Sequence, residues 1–184
     1  MKTWKVDPTH AVVEFAVPHM VIGEVVGVFQ RFEASLKVPS LEFEQAQLSA
    51  RIETASIFTN HEPRDKHLCS ADFFDTEHFP YMTFESRRFV SKGNRTYDIE
   101  GMLEIKGRAL PFTLHAQYKG LQMDPWGNDR LGFAAEGKLN RILWGLTWNN
   151  LLQNGAYLIG HEVRLRIACE LITEEAYKKL FAQG

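Results

Sequence analysis

The chain has 184 residues and a mass of 21.1 kDa, and its 21 basic and 23 acidic side chains give a formal net charge of -2. Folding of a chain this long buries roughly 70% of its extended surface, so a single domain over residues 1–184 is sufficient. The mixed charges form no basic stripe for a nucleic-acid backbone and no polybasic membrane anchor, which argues against nucleic acid as a partner.

The N-terminal sequence bears on where the protein works. Its first seven residues reach strand-like sequence without the apolar segment of a secretory signal, so we expect a cytoplasmic protein, or a periplasmic one if the chain is a processed form. The apolar stretch from Ala11 to Phe29 is interrupted by two glutamates, a proline and a histidine. These interruptions leave it well short of a spanning apolar run, so we expect no stable membrane insertion.

The first part of the chain reads as β-strand. We predict extended segments at Trp4 to Asp7 and Ala11 to Val17, separated by a break at Pro8 and Thr9. A second extended run starts near Gly23 and continues to Val38, and the glycines around its start indicate a bulge or sharp bend. Residues 46–52 then alternate between apolar and polar with almost no error, which predicts a half-buried strand.

A short helix is predicted after these strands. Asn60 can cap its first free N–H groups, Glu62 suits the positive end of the helix dipole, and Pro63 is tolerated in the first turn. The helix should therefore start near residue 61. Pro80 pushes Phe79 toward extended geometry, so the helical part should end before Phe79.

The remainder of the chain returns to strand and ends in a helix. The predicted strands are Tyr81 to Val90, Tyr97 to Ile105, Leu110 to Tyr118, Leu131 to Leu139 and Val163 to Leu171. Lys119 to Asp129 is predicted to be a loop. Thr173-Glu174-Glu175 is predicted to open a short terminal helix that runs to about Ala182 and has an apolar stripe. About eight antiparallel strands in up-and-down order predict an all-β closed barrel, with one short helical segment between strands and one short C-terminal helix.

A series of motifs covers nearly the whole chain. They are Trp4-x-x-Asp7-x-x-His10, Val17-x-His19-Met20, Gly27-x-Phe29, Arg64-Asp65-x-His67-Leu68-x-Ser70-x-Asp72-Phe73-Phe74-Asp75, Pro80-x-x-x-Phe84-x-Ser86, Glu100-Gly101-x-Leu103-x-Ile105-x-Gly107 and Gly145-x-x-Trp148-Asn149. In this order they resemble the YceI-like family of lipocalin-like barrels, which is implicated in binding isoprenoids and related lipids. Many of its members carry an export signal, which this N-terminus does not resemble. The resemblance implies an eight-stranded lipocalin-like barrel with a polyisoprenoid or isoprenoid quinone as its ligand.

The inward rows of the barrel mix large and small residues. The small ones are Ala34, Ala50, Gly101, Ala116, Ala135 and Gly137. The pattern alone allows two interpretations, an apolar slot or a tapering core that large and small side chains fill together. The resemblance favours the slot. Its expected lining residues are Phe15, Phe29, Phe32, Leu36, Phe84, Leu103, Phe112, Phe133, Ala135 and Trp148.

Polar residues in the predicted helix are candidates for a gate or for contacts to a ligand head group. They are Arg64, Asp65 and His67. The alternative, which we favour, is that Arg64 and Asp65 pair with each other and fasten the helix to the barrel rim. Cys69 and Cys169 are expected to be separate thiols rather than a disulfide.

Signals for catalysis are weak. Asp72, Asp75 and His78 offer acid and base groups, but a helix-to-strand turn uses the same residue types for capping. The sequence has no nucleophile elbow, phosphate loop or zinc-ligand spacing, so we predict no catalytic residue, cofactor or metal.

The hypothesis that follows is a binding protein that sequesters or transports a long apolar lipid in the barrel. Two alternatives stay open: a barrel-fold enzyme acting on a small apolar substrate, and a filled structural barrel without a ligand. A homodimer is a candidate assembly, although the residues themselves do not determine the oligomeric state.

Overall fold

The computed structural model describes residues 1–181, which form mainly long antiparallel strands. The strands are β1 (Lys2–His19), β2 (Gly23–Phe29), β3 (Phe32–Val38), β4 (Gln47–Glu53), β5 (Ile57–Phe58), β6 (Tyr81–Gly93), β7 (Thr96–Ile105), β8 (Arg108–Met123), β9 (Asp129–Asn140) and β10 (Glu162–Thr173). The helices are α1 (Glu62–Cys69) and α2 (Glu174–Phe181). No helix within residues 1–181 is long and apolar enough to cross a membrane.

The strands close into a barrel because β1 pairs with β10 along one edge and with β2 and β3 along the other. β2 and β3 lie end to end and together pair with β1. In the same way, β5 pairs with β2 and β4 pairs with β3 in the next position, so ten strands occupy eight positions around the barrel. All pairings are antiparallel. The prediction of an all-β, eight-stranded antiparallel barrel with two short helices is confirmed.

The predicted break at Pro8 and Thr9 is wrong, because β1 is continuous through it. The register with β10 shifts between Val6 and Ala11, so this segment is a bulge inside one strand. Asp7 is buried there, and its Oδ1 accepts hydrogen bonds from the Thr9 backbone N–H at 2.9 Å and the Thr9 hydroxyl at 2.6 Å. The first of these bonds satisfies the Thr9 N–H, a backbone group inside the bulge.

Two further boundaries differ from the sequence prediction. The run from Gly23 to Val38 is interrupted at Gln30 and Arg31, where the Arg31 N–H donates to the Ser56 hydroxyl at 3.0 Å. The loop predicted from Lys119 to Asp129 is shorter, because β8 continues to Met123. Gly120, with a φ of 130°, lies at a register shift that lets the strand continue.

The first helix is capped by His61 rather than by Asn60. Asn60 has a φ of 60°, so it lies outside the helix, while His61 Nδ1 accepts a hydrogen bond from the Arg64 N–H at 3.3 Å. α1 ends at Cys69, which agrees with an end before Phe79. At the C-terminus α2 is described to Phe181, and the predicted end at Ala182 lies outside the described residues.

One end of the barrel is closed by an aromatic plug. The turn Phe43–Gln45 places the Phe43 ring, which is fully buried, among three other rings. Its centroid lies 5.6 Å from that of Tyr97, 4.9 Å from that of Tyr118 and 5.3 Å from that of Phe133. Because these edge-on contacts leave little space, the interior can open only toward the other end.

Candidate functional site

A cavity of about 530 Å³ occupies the barrel interior above the Phe43 plug, and we call it the lumen. Side chains that point inward from the barrel strands form its wall. All ten residues predicted to line the slot do so: Phe15, Phe29, Phe32, Leu36, Phe84, Leu103, Phe112, Phe133, Ala135 and Trp148. Aromatic and aliphatic side chains dominate this wall, so the lumen suits an apolar guest.

The small residues of the inward rows divide into two groups. Ala34, Ala50 and Ala116 line the lumen as Ala135 does. A Cβ on Gly101 would meet the Phe84 ring at 2.7 Å, and one on Gly137 would meet the Phe112 ring at 2.5 Å. Neighbouring rings therefore occupy the space beside these two glycines, as the tapering-core interpretation expects. The alanines, in contrast, border free space.

The lumen opens at the end opposite Phe43, and we call this opening the mouth. Three segments surround it: the start of α1, the hairpin between β1 and β2, and the loop from residue 146 to residue 159. Most of the polar lining residues are also at this end. They are His19, His61, Arg64, His67 and Arg141. A guest in the lumen would therefore have mainly apolar surroundings along its length, with most of the polar groups at one end.

Arg64 and Asp65 do not pair with each other, so that part of the prediction is wrong. Arg64 Nε donates to the Thr59 hydroxyl at 2.7 Å, and Arg64 Nη2 donates to the Thr59 carbonyl at 2.8 Å. Asp65 Oδ1 accepts from the Thr59 N–H at 3.0 Å and from the Thr59 hydroxyl. Successive helix residues do not face each other, so both side chains converge on a third residue.

We call Thr59, Arg64 and Asp65 the clasp. It ties α1 to the chain that leaves β5, because Thr59 is buried directly after that strand. Arg64 also lines the lumen, whereas Asp65 is not among the lining residues. The clasp thus holds one side of the mouth in place through Asp65 and presents the Arg64 side chain to the lumen.

His67 is the third predicted gate residue, and it lies at the mouth. Its Nε2 is 2.8 Å from Asp72 Oδ2, and its ring is packed against two aromatic rings. The ring centroids are 5.1 Å apart for His67 and Phe73 and 4.6 Å apart for His67 and Trp148. Trp148 itself borders the lumen, whereas Trp144 is buried behind the wall and donates its Nε1–H to the Leu103 carbonyl at 3.0 Å.

Arg141 is the functional candidate that sequence reasoning missed. Its side chain is only 3% exposed and lines the lumen near the mouth. It donates to the backbone carbonyls of Gly160 at 2.9 Å and Trp148 at 3.0 Å, and also to that of Leu146. No carboxylate of residues 1–181 pairs with it, and burial lowers the pKa of this guanidinium.

An arginine at the end of a strand normally belongs to the surface, so the strand pattern alone does not separate this one from other basic residues. The absence of any acidic residue between Arg141 and His161 was the available signal. Arg141 begins this uncharged segment, and its hydrogen-bond partners are backbone carbonyls.

The two cysteines are free, as predicted, and lie in different surroundings. Cys169 lines the lumen, and burial raises the pKa of its thiol to about 11. Burial also raises the pKa of Cys69 in α1. Within residues 1–181, no group of three or more His, Cys, Asp or Glu side chains is arranged to hold a metal ion.

Comparisons with known proteins agree with this architecture. Residues 4–171 match the YceI-like domain. A UPF0312 protein of Pseudomonas putida is 36% identical over 145 residues, which are 78% of this chain and 76% of the relative. The crystal structure of Burkholderia cenocepacia BcnA superposes with a TM-score of 0.79 at 20% identity, covering 90% of this chain and 98% of BcnA.

A more distant structure shares the same fold. It is a domain from Saccharophagus degradans described as polyisoprenoid binding and implicated in plant cell wall breakdown. It superposes with a TM-score of 0.65 at 10% identity, over 94% of this chain and 99% of that domain. The match over residues 4–171 covers most of the chain and confirms the resemblance found in its motifs. The chain belongs to the YceI-like family.

Proposed function

We propose that this protein binds a long apolar lipid of the polyisoprenoid or isoprenoid quinone type in its lumen, and so sequesters or carries it. The observation that carries the proposal is the lumen itself, an apolar cavity of about 530 Å³ with one plugged end. Cavities of roughly 300–1,000 Å³ with apolar walls and a few polar groups are typical of small-molecule sites.

The distribution of polar groups sets the expected orientation. The tail would lie along the apolar wall toward Phe133, because each buried CH₂ contributes about 0.8 kcal/mol. The head group would stay at the mouth, where Arg64 and His67 offer hydrogen bonds. A charge-assisted hydrogen bond there contributes roughly 1.5–3 kcal/mol, so tail burial dominates the affinity and the head group sets the direction.

The Saccharophagus degradans domain described as polyisoprenoid binding is consistent with this proposal. At 10% identity this likeness shows a shared fold and does not show a shared ligand. The proposal therefore depends mainly on the lumen. Binding is favoured over turnover because the lumen wall is apolar and the histidines at the mouth are not grouped with a nucleophile.

The direct test is an organic extract of freshly purified protein, analysed by mass spectrometry. We expect a lipid with a long unsaturated tail, in a ratio near one per chain. After removal of this lipid, an isoprenoid quinone added from ethanol should quench tryptophan fluorescence, because Trp148 borders the lumen. The quinone should be recovered unchanged; a chemically altered product would instead favour an enzyme. No extracted lipid together with no quenching would contradict the proposal.

The homodimer stays a prediction. Light scattering coupled to size exclusion measures it directly, and a mass near the chain's 21.1 kDa would contradict it.

A further inference from the structure

Five exposed apolar side chains surround one side of the mouth. They are Met20, Val21, Ile22, Leu151 and Tyr157, and we call them the apolar rim. Ile22 is 90% exposed, Val21 is 73% exposed and Leu151 is 67% exposed, so these side chains are nearly unpacked. Single exposed apolar residues are common on soluble proteins, whereas a contiguous group marks a contact surface.

The rim is one connected surface because backbone hydrogen bonds join its segments. The Met20 N–H donates to the Leu158 carbonyl at 2.8 Å, and His19 forms a β-bridge with Ile159. The Leu158 N–H in turn donates to the Asn150 carbonyl at 2.8 Å. The hairpin tip and the loop that carries Leu151 therefore lie side by side rather than as separate protrusions.

The backbone of the hairpin tip is strained at two of the rim residues. Met20 has a φ of 54° and Val21 a φ of 67°, which is the left-handed region. A β-branched residue is a marked outlier there, and glycine or asparagine is the usual choice. The turn has apolar side chains at positions where glycine or asparagine would be less strained. This backbone strain indicates that the apolar side chains themselves have a role.

Charge also distinguishes this surface from the rest of the molecule. The chain has no aspartate, glutamate or lysine between Phe15 and Gly23 or between Arg141 and His161. Glu24, the first acidic residue after the hairpin tip, is paired with Arg164. Because the five rim side chains carry no charge, they can enter an apolar environment without losing the hydration of an ion.

We propose that the apolar rim docks on the surface of a lipid bilayer and places the mouth against it, so that ligand passes between bilayer and lumen without crossing water. This inference rests on the proposed function for its purpose. Residues lining the mouth continue into the rim: His19 and Ile159 border the lumen, and Met20 and Leu158 adjoin them. Apolar side chains with a tyrosine beside them are typical of segments that enter the membrane interface.

The test measures binding to vesicles of zwitterionic phosphatidylcholine by flotation. We expect the unsubstituted protein to float with the vesicles, and Ile22→Asp and Leu151→Asp each to lower the bound fraction by roughly tenfold, because each replaces an apolar side chain that would enter the bilayer with a charged one. The matched control is Trp126→Asp. Trp126 is 80% exposed in the loop between β8 and β9, at the plugged end of the barrel, so this variant should bind like the unsubstituted protein.

Three results would overturn the docking proposal. The first is that the unsubstituted protein fails to float with the vesicles. The second is that Trp126→Asp lowers the bound fraction as much as Ile22→Asp does. Alternatively, Ile22→Asp converts a dimer into monomers on size exclusion with light scattering, which would make the rim a contact between two copies.

Quinone added from ethanol reaches the lumen without a bilayer, so this measurement tests lipid binding separately from membrane docking. All three variants should still quench tryptophan fluorescence on adding quinone, because their side chains lie outside the lumen. Quenching without flotation would remove the docking proposal and leave lipid binding intact. Flotation without quenching or extracted lipid would remove the lumen function.

Discussion

Asp7 shows how a single buried carboxylate stabilises the plugged end of the barrel. Besides Thr9, it is bonded to Arg130, whose Nη1 donates to Asp7 Oδ2 at 2.8 Å. Arg130 also contacts Asp124 at 3.0 Å and Glu170 at 2.9 Å, so one guanidinium links the bulge of β1 to β10 and to the end of β8. Burial alone would raise the pKa of Asp7, but hydrogen bonds from Thr9, Arg130 and His10 outweigh it and lower the pKa to about 2.

The first prediction follows from the lowered pKa of Asp7. A carboxyl group whose folded pKa lies below its ordinary value of 3.8 stabilises the fold above that value, and the contribution is lost as pH falls toward 2. We therefore expect Asp7→Asn to lower the free energy of unfolding by about 2 kcal/mol at pH 7. Urea unfolding of both proteins should show this difference shrinking between about pH 4 and pH 2.

Asp129→Asn is the matched control, since Asp129 is a half-buried carboxylate that forms an ion pair with Lys2 at 3.4 Å. Its cost should stay below about 1 kcal/mol. An Asp7→Asn difference that does not change with pH would mean that the charge of Asp7 is not what stabilises this end.

The second prediction concerns the thiol inside the lumen. Because burial raises the pKa of Cys169 to about 11, its thiolate fraction at neutral pH is roughly 100-fold below that of an ordinary thiol. In Cys69→Ser protein, where Cys169 is the remaining thiol, iodoacetamide should modify the native protein at least about 100-fold more slowly than the urea-unfolded protein. Intact mass spectrometry follows the reaction, and equal rates in both states would place Cys169 in contact with solvent.

At the scale of single residues, sequence predicted the lumen wall better than the polar contacts. Phe84 and Phe112 were predictable because alternation along a strand fixes which side chains face inward. The partners of Arg141 and Asp65 were not, because most of them are backbone groups. Hydrogen bonds to the backbone leave no pairing pattern in the sequence.

Among the elements, α1 depends on the clasp more than on its own sequence. No residue of α1 is buried, so packing alone gives it little stability. Its attachment comes from the hydrogen bonds of Arg64 and Asp65 to Thr59, a residue that is itself buried. The position of one side of the mouth therefore depends on three side chains.

The third prediction tests the clasp. Asp65→Ala leaves the buried Thr59 N–H and hydroxyl without their acceptor, so we expect the free energy of unfolding to fall by about 1–4 kcal/mol. Glu62→Ala is the matched control in the same helix, because Glu62 is exposed and pairs only with Lys66. Its cost should be below about 1 kcal/mol in the same urea titration. Unchanged stability of Asp65→Ala combined with lost lipid binding would make Asp65 a head-group contact instead.

Element boundaries were least predictable where local hydrogen bonds replace the ladder. Pro8 and Thr9 resemble a turn, yet Asp7 accepts the hydrogen bonds that let β1 continue. Asn60 is a common capping residue, but its positive φ leaves His61 to cap α1. In both cases the residue types were compatible with two geometries, and contacts elsewhere in the barrel selected one.

For the molecule as a whole, the decisive property is that one end is plugged and the other is open. Closure of eight strands was predictable from alternation and from the resemblance, whereas the plug was not. Phe43 lies in a short turn between two strands, and only the tertiary structure brings it to Tyr97, Tyr118 and Phe133. The alternatives of slot and filled core could not be separated by sequence because alanine and glycine occupy similar positions in both.

The fourth prediction tests the lumen directly with Ala135→Phe. Ala135 lies in the middle of β9 and borders the lumen, so an added phenyl ring would project into the space that the lipid tail would occupy. In a cavity the ring buries favourably, whereas in a packed core it displaces neighbours at roughly 1–3 kcal/mol or more. We expect near-native urea stability together with loss of the extracted lipid and of quinone quenching.

Ala134→Phe is the matched control, because Ala134 is the next residue of β9 and faces away from the lumen, opposite Gln117 and Ala168 in the neighbouring strands. The same ring placed on the outer surface should leave lipid content unchanged. If Ala135→Phe keeps its lipid, the tail does not pass this point and the ligand occupies only the mouth. If Ala135→Phe is strongly destabilised and the unsubstituted protein yields no lipid, the barrel interior is a packed core, and lipid binding in the lumen would have to be abandoned.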